Sequence, residues 1–228
     1  MALRQPSDLY QRRGSVIDTV PATEPVTAAE LRTFLRETET GLPDAQADEF
    51  IEQAREEIEK SLNIAMITQS WRMSLDAWTI GQSAEFWDGM RTGSVLALNA
   101  SSPAAAVVLP VFPLQTITSV TTYDEDSTPT VVTVADVFDL DIYRTPARLA
   151  LKSGASWPTV SRAVNGIQII YVSGYGDAAA DVPKPLVRAV KQLAAYYYAH
   201  RGDGCDMSNA MQNSGAASAV ASFKVKAI

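Results

Sequence analysis

Cysteine and histidine are almost missing from this 228-residue chain, which has one of each, Cys205 and His200. A lone thiol cannot close an intrachain disulfide, and the expected setting is a reducing one. Cys205 sits in a Gly/Asp/Ser-rich stretch where a free thiol is usually incidental. His200 and Cys205 lack a third group to orient them, so they make a weak nucleophile pair. His200 instead ends a helical pattern, where a cation suits the carbonyl end of the helix dipole. The sequence also lacks a Gly-x-Ser-x-Gly elbow, a phosphate-cradling Gly-Lys-Ser/Thr loop and any CxxC pair. Nothing approaches the roughly 18–20 consecutive apolar residues of a membrane span. The opening MALRQPSDLYQRRGS is basic but has no apolar run behind it, unlike a secretory signal. A soluble chain made inside the cell is therefore expected. A basic excess is missing too: 19 Lys+Arg stand against 26 Asp+Glu, a formal charge of −7. That balance argues against a protein that grips nucleic acid, yet an acidic wall can let DNA pass without holding it.

What is present is enough for one domain with arms. Hydrophobic residues are 46% and charged residues 20%, a globular composition. Residues 1–24 read as an N-terminal arm with little core of its own. Thr27 and Glu30 have the spacing of a capping box, and Leu31, Phe34 and Leu35 continue a short amphipathic helix toward Thr40-Gly41. A second helix runs from Pro43-Asp44 to about Leu62, with Phe50, Ile51, Ala54, Ile58 and Leu62 as its apolar stripe. Its glutamates, Glu49, Glu52, Glu56, Glu57 and Glu59, fall on the other faces, with Glu56 and Lys60 spaced as an i,i+4 pair. That scatter suits a solvated face better than a metal site.

After Asn63 the apolar period changes to two. Trp71, Met73, Leu75 and Ala77 alternate with polar residues as a half-buried strand does. Residues 79–106 are Gly/Ser/Ala-rich and read as a protruding loop, with Phe86 and Trp87 in it and a short hairpin expected around Ser94–Leu98. A meander of short strands follows. Val107–Val111, broken by Pro110 and Pro113, suits an edge. Ile117–Tyr123, Val131–Val134, Phe138–Tyr143, Ala147–Leu151 and Gly166–Val172 continue it. Ser173-Gly174-Tyr175-Gly176 resembles a glycine motif but lacks dinucleotide spacing, and reads as a turn with backbone at positive φ. Asp139 and Asp141 share a strand face, and Asp124–Asp126 cluster in a turn, but a third metal ligand is not evident at either place.

A third helix opens at Pro183 and runs to about Arg201, with its stripe on Leu186, Val187, Val190, Leu193, Ala194 and Tyr197. Tyr196, Tyr197 and Tyr198 must point in different directions, so at least one should face away from the core. On composition, residues 203–228 cannot bury enough surface to order themselves, and read as a flexible C-terminal tail. Its closing Phe223-Lys-Val-Lys-Ala-Ile228 alternates apolar and basic, as a strand awaiting a partner would. The expected class is α+β: two N-terminal helices, an antiparallel meander and a C-terminal helix in a body spanning 25–202.

Four stretches in this order carry a resemblance: EPVTAAELRTFLR from Glu24 to Arg36; DEFIEQAR from Asp48 running into ITQSWR at Arg72; LPVFPLQTITSVTTYDED from Leu109 to Asp126; and GASWP at Gly154–Pro158 with Ile167–Gly176 and Pro183–Arg201. Together they resemble the head–tail connector (adaptor, or head-completion) family of long-tailed bacteriophages and phage-derived gene transfer agents. The resemblance implies a virion structural protein assembled in the host bacterial cytoplasm, not an enzyme, without cofactor, metal or membrane. It further implies a ring, typically of twelve copies, under the portal at the particle's neck. The ring would join the capsid to the next neck or tail protein and pass DNA through its channel without specific binding. The arm, the 79–106 loop and the tail depart from the family pattern, and terminal segments and loops often make such contacts. Phe223, Val225 and Ile228 are therefore expected to dock on the portal, and Phe86 and Trp87 to face a neighbour or the tail side. The rival readings are another neck component (a stopper or tail terminator, generally more purely β) and a small α+β enzyme using His200 or Asp139/Asp141. A DNA-binding regulator is disfavoured by the acidic charge.

Overall fold

The computed structural model describes residues 15–78, 106–201 and 209–224, and the chain divides into two compact units. One contains residues up to 19 and 70–172 and is mostly β. The other contains 20–69 and 173–228 and is mostly helical.

In the β unit, β1 (Ser15–Thr19), β2 (Gln69–Leu75), β4 (Leu114–Tyr123), β5 (Pro129–Val132) and β8 (Ile167–Ser173) form one sheet in the order β1-β2-β8-β4-β5. A second sheet has the order β3-β7-β6, from β3 (Ala106–Val108), β7 (Arg148–Leu151) and β6 (Phe138–Asp141). The antiparallel sheets are as expected, with β4 beside β5 and β6 beside β7 in chain order, while β8 inserts between β2 and β4. Its alternation explains why: Ile167, Ile169 and Tyr171 are fully buried and the residues between them half-buried, a strand with neighbours on both sides. The expected pairing across Arg144-Thr145-Pro146 is present, with Phe138 opposite Leu151 and Asp141 opposite Arg148 in antiparallel register. β2 buries Met73 and Leu75, as its alternation predicts. The strand expected at Val131–Val134 is β5, which ends at Val132, and a single helical turn, α3 (Val134–Val137), follows it.

The arm differs in part from its expectation: Ser15–Thr19 pair antiparallel with β2 as an edge strand. Backbone hydrogen bonds, not burial, hold β1, since four of its five residues are exposed. Its Val-Ile-Asp-Thr content is strand-like but too short to stand out.

In the helical unit, α1 (Ala28–Leu35) opens on Thr27, whose hydroxyl accepts from the Glu30 N–H at 3.2 Å. It stops short of the expected Thr40-Gly41, at Arg36 in the left-handed region. α2 (Asp44–Leu62) buries Ala47, Ile51, Ala54, Ile58 and Leu62 and ends on left-handed Asn63. α4 (Lys184–Ala199) buries Leu186, Ala189, Val190, Leu193, Ala194 and Tyr197, and packs on α1 and α2. At its end, the His200 Nδ1 and backbone N–H both approach the Tyr196 carbonyl.

The tail also departs from its expectation. Residues 209–224 contain α5 (Ala210–Asn213), α6 (Ala216–Ala219) and a 3-10 turn at Ala221–Phe223, packed along α4. Ala210, Ala216 and Val220 are fully buried there. Composition misleads because short side chains let the backbone sit close to α4, so small residues bury area that large ones would be needed for at a distance. The three tyrosines find partners within this unit. Tyr197 donates to Glu57, Tyr198 meets Phe50 edge-on at 6.3 Å, and Tyr196 stacks on His200 while accepting from Asn213. Of the three, Tyr196 is the one turned to the tail, through Asn213.

Candidate interface residues

Of the residues expected to dock, Phe223 is half-buried at the end of the last 3-10 turn. Phe86, Trp87, Val225 and Ile228 lie outside the described residues, as do Cys205 and the hairpin near Ser94–Leu98. Asp141 is engaged by Arg148 at 2.9 Å across β6 and β7, which fixes that hairpin rather than offering a free ligand. Asp139 stands exposed on the same strand.

The hairpin between β6 and β7 presents a feature the sequence reading missed. Ile142 is 46% and Tyr143 96% exposed at its tip. An Ile-Tyr pair where a turn would ordinarily be polar was the signal for it.

Each unit contains an internal cluster of side chains. In the β unit, Trp78 packs against Trp157 at 4.9 Å and Phe138 at 5.6 Å between ring centroids, and its indole N–H donates to the Pro158 carbonyl at 2.8 Å. This gives the Ser-Trp-Pro loop a structural role, fastening the chain just before residue 79. Trp78→Phe should lower stability by about 1–2 kcal/mol, through the lost hydrogen bond and a small void. It should also abolish the near-ultraviolet circular dichroism of the paired indoles. An unchanged near-ultraviolet spectrum would mean the pair does not form.

In the helical unit, Arg55 and Glu59 correct the expectation of a wholly solvated acidic face on α2: they are 3% and 6% exposed. Arg55 bonds Glu59 at 2.9 Å and Glu24 at 2.8 Å. Glu59 also accepts from the Met66 N–H at 2.7 Å and the Gln69 amide at 3.0 Å. Burial pushes the Glu59 carboxyl up, against the pull of the Met66 N–H, Arg55 and Gln69. Burial alone would lower the Arg55 guanidinium, but the Glu24 hydrogen bond and the Glu59 charge more than reverse this and leave it raised. Every neighbour named around Glu59 is a donor, so the carboxylate is the form the site accommodates. The cluster ties α2 to Glu24 on one side and to the 66–69 stretch on the other. On the solvent side of the same helix the expected Glu56–Lys60 pair is present at 2.7 Å, and that hydrogen bond lowers the Glu56 carboxyl.

Leading helices, antiparallel sheets and a closing helix make this an α+β fold. No family model and no curated protein matches the chain. Among solved structures, the chain is similar to one in the neck of an empty gene transfer agent particle computed with C6 symmetry: 23% identity, a TM-score of 0.68, covering 93% of this chain and 97% of that one. It is also similar to a chain in the neck of a native particle computed with C12 symmetry, at 24% identity and a TM-score of 0.65 over 93% and 97%. A chain in the virion of a native gene transfer agent particle matches at 21% identity and a TM-score of 0.69, over 94% and 96%.

Proposed function

We propose that this chain is a structural protein of a particle neck, and within the neck the adaptor. In this reading twelve copies form a ring under the portal, receive the next neck or tail protein below, and let DNA through without gripping it. The observation that carries the reading is a fold likeness spanning nearly all of both chains, to structures from necks with rotational symmetry. The leading and closing helices favour an adaptor over a stopper or tail terminator. The acidic charge suits a conduit, and His200 and Asp141 are engaged by Tyr196 and Arg148.

Electron microscopy of purified particles, with the chain's density assigned, tests this. A ring of this chain between portal and tail is expected; density anywhere but the neck overturns the reading, and density lower in the neck replaces the adaptor with a stopper or terminator. The docking roles of Phe223, Val225 and Ile228 belong to the same proposal. Because 209–224 pack on α4, the informative truncation starts after Lys224 and not after residue 202. Particles with Val225–Ile228 deleted should lose attachment of this chain to the portal while the body folds normally, and normal attachment would remove the tail from the docking surface. Residues 79–106, with Phe86 and Trp87, should be protected from protease in particles and cut in free protein; equal cleavage would take the loop out of the interface.

A further inference from the structure

The sequence contains one Asn-Gly pair, Asn165-Gly166, in the loop that leads into β8. An asparagine before glycine is the one most easily attacked by its own backbone, because glycine puts no side chain in the path. The Gly166 nitrogen forms a bond to the Asn165 Cγ, the Cγ–Nδ2 bond breaks, and ammonia leaves with the proton from that nitrogen. Water then opens the five-membered imide at either carbonyl. The product is aspartate or, where the chain is rerouted through the side chain, isoaspartate. Asn165 is exposed, so water reaches it.

The backbone geometry opposes that reaction. Asn165 has a φ of +52°, in the left-handed region, where ψ is roughly +30 to +60°. There the Gly166 nitrogen stands nearly anti to the Asn165 Cβ, whereas a flat imide ring needs the two eclipsed. Swinging the intervening peptide round is resisted from both sides. The Asn165 N–H donates to Asp76 Oδ1, just past the end of β2, at 2.8 Å. The Gly166 carbonyl accepts from the Tyr123 N–H at the end of β4 at 2.9 Å. Gly166 is also tightly enclosed: a Cβ there would meet the Val160 side chain and stand 2.6 Å from the Arg162 carbonyl oxygen and 3.2 Å from that of Asp76. We propose that Asn165 is a deamidation site gated by the β unit, inert while the clasp to Asp76 holds and labile once the chain around it opens. Opening, and not exposure, then sets the rate, which follows the population of the open form. A chain that reacts while open cannot reclose as before. Either product adds a carboxylate near that of Asp76, and isoaspartate adds a backbone methylene beside Gly166, where the packing leaves no room. The damage falls on the start of β8, the strand between β2 and β4.

The test incubates full-length chain in mildly alkaline buffer, with and without urea, and follows the peptide containing Asn165 by mass spectrometry for the exchange of NH2 for OH. Deamidation should be at least about tenfold slower in the folded chain than in urea, as an equilibrium of rare opening requires. Asp76→Ala removes the acceptor of the clasp from an exposed position and should speed the reaction in buffer while the near-ultraviolet circular dichroism of the folded unit stays. Asp76→Asn keeps an acceptor oxygen and should restore most of the protection. Equal rates for the parent chain in buffer and in urea would overturn the proposal, whatever the variants do. An Asn165 that survives intact in urea would overturn it too, since the pair would then not be labile. A folded Asp76→Ala chain that reacts no faster than the parent would show that the clasp is not the gate.

Discussion

Arg55→Met is expected to lower the stability of the helical unit by about 3–5 kcal/mol, the usual consequence of leaving a buried charge without its partner. The side chain is 4% exposed, and it is the cation that holds both Glu59 and Glu24. Methionine has similar volume, so packing is nearly kept and the loss reports on charge. The urea midpoint followed by helical ellipticity at 222 nm is the measurement, because the three long helices all belong to this unit. Replacing Glu59 as well, by methionine, should recover part of the loss. It should not recover all, since the Met66 N–H and the Gln69 amide would then lose their acceptor, at about 1–3 kcal/mol. A single variant that melts with the parent would show that Glu59 is neutral or hydrated, and the account of this cluster would fail.

That cluster marks where the sequence stops being legible. Helix periodicity finds α2 with its stripe because apolar burial repeats every three or four residues. Arg55 and Glu59 fall outside the stripe and look like any surface pair, and only tertiary contact with Glu24 and with residues 66–69 buries them. The same limit applies to the sheet. Alternation finds β2 and β8 one at a time, but the insertion of β8 beside β2 is a long-range pairing that no local pattern records. In the tail, hydrophobicity measured residue by residue misses burial achieved by close backbone approach, as at Ala210 and Ala216. The tyrosine run is the one local hint of that packing, since three successive tyrosines on a helix cannot all face one core. Interface residues are harder still, because their partners are other chains.

Gly174 is the point where sequence and structure agree most directly, and it yields the second large effect. The Ser173-Gly174-Tyr175-Gly176 stretch, expected to need positive φ, places Gly174 at φ +149°. A Cβ there would stand 2.6 Å from the Thr68 Cα and N and 2.7 Å from the Ile67 carbonyl carbon. These are backbone atoms and cannot swing aside. They are held in place by hydrogen bonds from the Thr68 N–H to the Gly176 carbonyl at 3.0 Å and from the Tyr175 N–H to the Met66 carbonyl at 3.2 Å. Gly174→Ala should therefore destabilise the helical unit by about 3 kcal/mol or more, combining overpacking with backbone strain. Gly154→Ala separates the two contributions. Gly154 also has positive φ, +83°, but nothing within 4 Å of a Cβ, so only the conformational penalty of about 1–2 kcal/mol should appear. Unfolding curves of the two variants should differ in that order. Equal losses would mean that the 66–68 and 174–176 segments do not touch, and that the body's close backbone packing at this corner is not what fixes it.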